Sequence, residues 1–422
     1  MKAYVKKKGL ATNDSRKIQR IISLSGLNVK DGKETLTTQL IRKKKHDGYW
    51  EYKYRIPLGR SFDDYLNKQS ILEDGLNNRR QHITLSDLKD LQLDANIIDN
   101  LKALWTNKLT EKKELELSFD GLLTLRVYDE PMPMHVPFQC GNGWSVPVGM
   151  TREKNTFKFH DFEKIPHMVL GGATRYGKSN FINSMITSLL QSKPEHVNLF
   201  LIDLKGGVEL CDYENIKQTV SIAYEPHQAL ETLQMAYEQM RQIQTMMRAL
   251  GKKNVQEAGI KERYFIIIDE VGELNPAEAV TKEDRKLKQE CQTLMSQIAR
   301  LGAGLGFRQI LATQYPTGDV IPRQCKQNSD AKLSFRVQSA TASRVVLDEV
   351  GAENLPQIKG RAIYQTADKR EILQTPLVTY EVINKIAPYI AERVVESAKK
   401  EEISFEKVSR PRGTNTVTFE EV

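Results

Sequence analysis

Between residues 160 and 380, short apolar runs alternate with stretches whose apolar residues recur at helical spacing, a pattern that predicts a parallel sheet flanked by helices. Met168-Val169-Leu170, residues 197–203, residues 265–268, residues 309–313 and residues 332–337 read as buried strands. Phe181, Ile182, Met185 and Ile186 mark a helix after the first of them. A long helix is predicted over 227–250, after Glu225-Pro226, with Leu230, Leu233, Met240, Ile243, Met247 and Leu250 on its apolar side. Its methionines read as core packing. Another helix is predicted over 281–301.

The first third of the chain has a different rhythm. Residues 35–41 and 49–56 predict a hairpin around the basic tip Arg42-Lys43-Lys44-Lys45-His46-Asp47-Gly48. In the return strand Trp50, Tyr52, Tyr54 and Ile56 share one face, and Glu51, Lys53 and Arg55 the other. Aromatic residues beside a basic tip either stack on nucleic-acid bases or pack on their own small domain, and the alternation leaves both open. Ser61-Phe62-Asp63-Asp64 has the form of a capped helix start. Leu115, Leu117 and Phe119 alternate up to Asp120-Gly121, and Leu123, Leu125 and Val127 alternate after it, which predicts a second hairpin. The expected organisation is a basic N-terminal segment over 1–34, either a mobile arm or a short helix, and a small α+β domain over 35–150, with Pro131, Pro133 and Pro137 at its far side. An α/β domain follows over 151–380, then a C-terminal helix and tail over 381–422.

Charge sharpens this division. The 422 residues carry a net charge of +8, but residues 1–60 hold 16 Lys/Arg against 5 Asp/Glu, and the remainder is slightly acidic. Such a basic segment either meets a polyanion, nucleic acid first, or serves as a solvated arm. No stretch approaches the roughly 20 apolar residues that cross a bilayer. Four scattered cysteines (Cys140, Cys211, Cys291, Cys325) point to a reducing cytoplasm and away from a disulfide framework or zinc site.

The chemistry is concentrated at residues 172–179, Gly-Ala-Thr-Arg-Tyr-Gly-Lys-Ser, a complete phosphate-binding loop between a predicted strand and a predicted helix. Gly172 and Gly177 allow the backbone of Ala173, Thr174, Arg175 and Tyr176 to curl its N–H groups toward phosphate oxygens. Lys178 is placed to reach the β- and γ-phosphates, Ser179 to offer its hydroxyl to Mg²⁺, and the helix entering at Asn180 presents its positive end. The strand before Asp269-Glu270 delivers a carboxylate pair to the same side, with Asp269 as a Mg²⁺ ligand through water and Glu270 as the group that orients the attacking water. Gln314, after another strand, suits a γ-phosphate sensor. The implied cofactors are ATP and Mg²⁺.

The motifs Gly172-Ala-Thr-Arg-Tyr-Gly-Lys-Ser179, Ile266-Ile-Ile-Asp-Glu270, Leu311-Ala-Thr-Gln-Tyr-Pro316 and Ser343-Arg-Val-Val-Leu-Asp-Glu-Val-Gly-Ala-Glu353, with Ile202-Asp-Leu-Lys205, resemble those of FtsK/SpoIIIE-type DNA translocases in order and spacing. The resemblance spans about residues 115–380. It implies an α/β, RecA-like P-loop NTPase domain built on a parallel sheet, preceded here by the small α+β domain. It further implies a homo-oligomeric ring, a hexamer, that moves double-stranded DNA with ATP. The loop over 317–330 would face the channel, with Arg323 and Lys326 as phosphate contacts. The chain departs from the family at Ala303 and Ala340, which stand where a trans-acting arginine and lysine are usual, leaving Arg300, Arg308 and Arg336 as candidates. With neither membrane spans nor a winged-helix reader, the chain resembles the compact forms of mobile elements. In those, the motor couples DNA to a relaxase, a replication initiator or a membrane transfer apparatus. The alternative is a DNA-binding adaptor with a slow nucleotide switch.

Overall fold

The computed structural model describes residues 14–77, 113–152, 156–314 and 320–386. Its internal contacts divide the chain between Pro133 and Met134.

In the N-terminal unit the elements are α1 (Ser15–Leu24), β1 (Val29–Asp31), β2 (Glu34–Leu36), β3 (Gln39–His46), β4 (Tyr49–Arg55), α2 (Phe62–Leu66), α3 (Gln69–Asn77), β5 (Glu114–Asp120) and β6 (Leu122–Tyr128). Strands β3, β4, β6 and β5 form an antiparallel sheet in that order. One face of the sheet carries Tyr52, Tyr54, Leu115, Leu123, Leu125 and Val127, which share a core with Ile18, Ile22, Leu72 and Leu76 of α1 and α3. The aromatic face therefore packs within its own unit. Ser61 caps α2 reciprocally with Asp64, as expected.

Of the two readings of residues 1–34, the short helix is present as α1, and the segment is folded from Asp14 onward, because Ile18, Ile22 and Leu27 are buried; residues 1–13 lie outside the described residues. One expectation needs correction. The basic tip is strand, since β3 runs through His46 and the turn is reduced to Asp47-Gly48.

The second unit contains β7 (Ser145–Thr151), β8 (Phe157–Asp161), β9 (Met168–Gly171), α4 (Lys178–Ser192), β10 (Val197–Ile202), β11 (Thr219–Ala223), α5 (Pro226–Leu250), β12 (Arg263–Ile268), α6 (Lys282–Leu301) and β13 (Phe307–Thr313). It continues with α7 (Arg323–Gln327), β14 (Ala331–Phe335), α8 (Ala340–Leu347), β15 (Arg361–Gln365), β16 (Arg370–Gln374) and α9 (Tyr380–Ile386). Ten strands form one sheet in the order β11-β10-β12-β13-β9-β14-β15-β16-β7-β8. The first six run parallel and the last four are antiparallel. Because β7 pairs with β16, residues 134–150 belong to this unit, and the expected boundary at 150 moves to 133. The expected C-terminal tail lies outside the described residues after α9.

The central strands are apolar on both faces because helices cover both. On one side Leu233, Met240, Ile243 and Met247 of α5 pack with Met295 and Ile298 of α6. On the other, Phe181, Ile182, Met185, Ile186 and Leu189 of α4 pack under β9, β10 and β12. This places the ends of β9, β10, β12 and β13 side by side at the carboxyl edge of the sheet, where open α/β folds bind ligands.

Candidate functional site: a P-loop at the carboxyl edge of the sheet

The loop from β9 to α4 is held in shape from both sides. The Ala173 N–H donates to the Arg336 carbonyl at 2.9 Å, and the Gly360 N–H donates to the Tyr176 carbonyl at 2.8 Å. Gly177, at the helix cap, has φ +119°, a conformation that a side chain rarely adopts. A Cβ on Gly172 would lie 2.6 Å from Cβ of Phe335. Arg175 sits at φ +72° with its side chain exposed, a strained geometry typical of functional loops. The first N–H groups of α4 have no helical acceptor and open toward the loop's cavity.

That cavity measures about 440 Å³. Ala173, Thr174, Arg175, Gly177, Lys178, Ser179 and Asn180 form one wall, with Lys205 and Gln314 beside them. The opposite wall is Met134, His135 and Val136 with Lys359, Gly360 and residues 374–377. Asn180 fixes this wall to the helix: its side chain donates to the Pro376 carbonyl at 2.7 Å and accepts from the Val378 N–H at 3.2 Å. The second wall is assembled from three distant segments, and no motif in the sequence announced it.

The predicted catalytic residues converge. Lys178 Nζ donates to the Asp269 carbonyl oxygen at 2.6 Å and to Asp269 Oδ1 at 2.8 Å. Both side chains are almost fully buried, so this ion pair is little screened. Asp269 Oδ2 is buried with no hydrogen-bond partner. Glu270 Oε2 accepts from the Gln314 N–H at 2.8 Å. Burial pushes the Glu270 carboxyl above the usual range, against the opposing pull of Lys178. The Gln314 side chain in turn accepts from the Thr174 hydroxyl at 3.1 Å and from Lys205 Nζ. Lys205 follows β10 on the turn whose N–H groups at Lys205, Glu209 and Leu210 are gathered by the buried Asp203 carboxylate. Its contact with Gln314 was not anticipated from the sequence, which placed it only within a matching motif.

A nucleotide with Mg²⁺ fits this donor set. The unpartnered Asp269 Oδ2 and the Ser179 hydroxyl are oxygen ligands of the hard type Mg²⁺ prefers. Among the described residues no cluster of three or more His, Cys, Asp or Glu side chains could hold a metal ion.

None of the residues expected at the DNA channel or the subunit boundary lines this cavity. Arg323 and Lys326 stand on the short helix α7 rather than in a loop. Arg323 is exposed, but Lys326 Nζ is held by Asp348 at 2.6 Å and donates to the Arg344 carbonyl at 2.9 Å. Of the three candidate arginines, Arg308 is buried, bound to Glu163 at 2.9 Å and to the Ala303 and Phe307 carbonyls. Arg336 donates to the Leu355 carbonyl. Arg300, in the last turn of α6, is exposed.

Residues 142–305 match the model of the FtsK/SpoIIIE family. Over those residues the chain is similar to the P-loop ATPase domain of that family. The chain is 31% identical over 290 residues to a DNA translocase FtsK of Corynebacterium efficiens, covering 63% of this chain and 29% of that protein. It is 30% identical over 266 residues to the Corynebacterium glutamicum protein of the same name, 57% and 28% respectively. The chain thus spans under a third of the length of these relatives. In fold it is similar to the pCW3 conjugation coupling protein TcpA, solved as a monomer with ATPγS, with a TM-score of 0.59 and 20% identity over 89% of this chain and 98% of that one. The cytoplasmic domain of the type VII secretion ATPase EccC of Thermomonospora curvata gives a TM-score of 0.50 and 23% identity over 60% and 32%. Among the described residues no helix is long and apolar enough to cross a membrane.

Proposed function

We propose that the chain is an ATP-driven translocase of double-stranded DNA that works as a homo-oligomeric ring, a hexamer, and couples DNA to the transfer or replication apparatus of a mobile element. The observation that carries the reading is that Lys178 and Gln314 line one cavity while Asp269 is bound to the first and Glu270 to the second, in a domain matched by the FtsK/SpoIIIE family model. The likeness to a conjugation coupling protein supports the coupling role.

Bound ATP supplies the phosphoryl group, and Mg²⁺ neutralises its developing charge. Lys178, paired with Asp269 here, would hold the β- and γ-phosphates of a bound nucleotide, and Asp269 with Ser179 would hold the metal. Glu270 orients water and receives its proton, a role suited to a carboxyl that burial has made more basic. Gln314 links events: its N–H holds Glu270 while its side chain holds Thr174 of the P-loop and Lys205. A γ-phosphate that draws Thr174 or Lys205 away changes the support of the base. Arg323 contributes a phosphate contact on DNA, and Arg300, exposed in the last turn of α6, is the arginine that crosses to a neighbouring subunit.

The adaptor reading retains one specific support, since Ala303 and Ala340 replace the usual trans-acting residues while Arg308 and Arg336 are engaged internally. ATPase activity measured with double-stranded and single-stranded DNA separates the two. A motor shows strong stimulation by duplex; a slow rate indifferent to DNA refutes the motor.

A further inference from the structure

The N-terminal sheet has a second face that the core does not use. Cross-strand partners share a face, so Arg42, opposite Lys53, and Arg55, opposite Gln39, point away from the side that buries Tyr52 and Tyr54. Lys44, two residues from Arg42, lies on the same open face opposite Glu51. Four cations thus occupy adjacent positions, two along each strand at a repeat of about 6.8 Å, on strands about 4.8 Å apart. Arg42, Lys44 and Arg55 are exposed and Lys53 is half-buried.

Like charges directly opposite one another destabilise a sheet, so Arg42 facing Lys53 needs an explanation. Neutralisation by nearby acids does not supply it. Among the described residues, no carboxylate lies within ion-pair distance of Arg42, Lys44, Lys53 or Arg55. The acid facing Lys44 is engaged elsewhere: Glu51 pairs with Arg126 at 3.7 Å, and Arg126 with Glu116 at 3.8 Å. Lysines on an edge strand also discourage strand-to-strand aggregation. That accounts for β3, which is the sheet edge, but not for Lys53 and Arg55 on β4, which is interior.

We infer that the open face of β3 and β4, through Arg42, Lys44, Lys53 and Arg55, is a binding surface for the phosphate backbone of double-stranded DNA. A polyanion converts the repulsion between these cations into attraction, and it releases counterions on doing so. Duplex is favoured over single strands because it presents the denser row of phosphates, about one charge per 1.7 Å of its axis, while the aromatic groups of this face, His46, Tyr49 and Tyr128, already stack on one another at its far end. The surface is blind to sequence, since phosphate contacts carry no base information. The inference rests on the DNA-motor reading for its choice of polyanion. It also gives part of the basic character of residues 1–60 a fixed place on a folded sheet.

The test uses the full chain and a fluorescent duplex of about 30 base pairs, titrated across a range of salt concentrations. Replacing Arg42, Lys44, Lys53 and Arg55 together by Gln should flatten the plot of log affinity against log salt by roughly two to four units, at about 0.9 for each phosphate no longer neutralised. The drop in affinity should be equal on two duplexes of unrelated sequence and smaller on a single strand. The variant should melt no lower than the wild type, because a repulsive pair has been removed. Glu51→Gln supplies a gain that misfolding cannot mimic: it frees Arg126 and removes the opposing charge, so duplex affinity should rise and the slope should steepen. An unchanged slope in the quadruple variant, or unchanged affinity in Glu51→Gln, overturns the proposal. ATPase assays run alongside keep the two readings apart. Duplex stimulation with the same salt dependence in wild type and quadruple variant retains the motor and eliminates the sheet surface. A sheet-dependent slope without any stimulation of the wild type does the reverse.

Discussion

Glu163→Gln tests how the larger unit is held together behind its site. Glu163 accepts from Arg263 Nε at 2.7 Å and Nη2 at 3.0 Å, from Arg308 Nη2 at 2.9 Å, and from Gln256 at 2.6 Å. The side chains of Arg263 and Arg308 are 5% and 1% exposed, and that of Glu163 is 25% exposed. Burial alone would raise the Glu163 carboxyl, but hydrogen bonds from Arg263 and Gln256 and the charge of Arg308 bring it down to about 2 from 4.5. At about 1.4 kcal/mol per pH unit, that depression is worth about 3 kcal/mol, or roughly 2–3 kcal/mol after allowance for the exposed quarter. The carboxylate's contribution is complete above its unfolded value of 4.5 and is lost as pH falls toward 2. Gln mimics the protonated acid and leaves the Arg308 guanidinium buried without a counter-charge. In calorimetry at pH 7 the larger unit of the variant should melt roughly 5–10 °C below wild type, at about 2–4 °C per kcal/mol. The gap should narrow once the pH drops below 4.5. Equal midpoints at pH 7, or a gap as large at pH 3.5 as at pH 7, would refute this account of the cluster.

Glu270→Gln should keep nucleotide binding, because the amide oxygen still accepts from the Gln314 N–H, while ATP turnover falls by roughly 10²–10⁴-fold in a steady-state assay. With the Glu270 carboxyl raised by burial, the wild-type rate should fall on the acid side at a pH above the ordinary glutamate value, as protonation removes the base; a pH–rate profile measures this. Lys178→Ala should weaken nucleotide binding itself, read by fluorescent-nucleotide titration, and it leaves Asp269 buried without its partner. Arg323→Ala should lower duplex stimulation of the ATPase without altering the DNA-free rate. Lys326→Ala should do so less, because Asp348 already holds that lysine; the opposite ranking would place Lys326 on DNA.

The alternation of apolar strands and helices across residues 160–380 was readable because each element's period is local: buried strands such as Arg263–Ile268 are continuous apolar runs, and α5 shows its stripe within its own sequence. The P-loop was readable for the same reason, since eight consecutive residues carry both the turn and its chemistry. Glu270 and Gln314 were legible as ends of strands, but their hydrogen bond, 44 positions apart in sequence, follows from β12 and β13 lying side by side.

What no local pattern contained is who claims each charge. Arg308 and Arg336 looked as free as Arg300 in sequence, yet Glu163, 145 positions from Arg308, and the Leu355 carbonyl, 19 positions from Arg336, engage them. Lys326 looked available until the left-handed end of α8 brought Asp348 to it. The domain boundary failed similarly: β7 has the composition of either unit, and its pairing with β16, more than 200 residues later, assigns it to the second. Local steric and hydrophobic preferences act between near neighbours and so are written along the chain. Burial and ion pairing depend on distance in space, which is decided only when the sheet is complete.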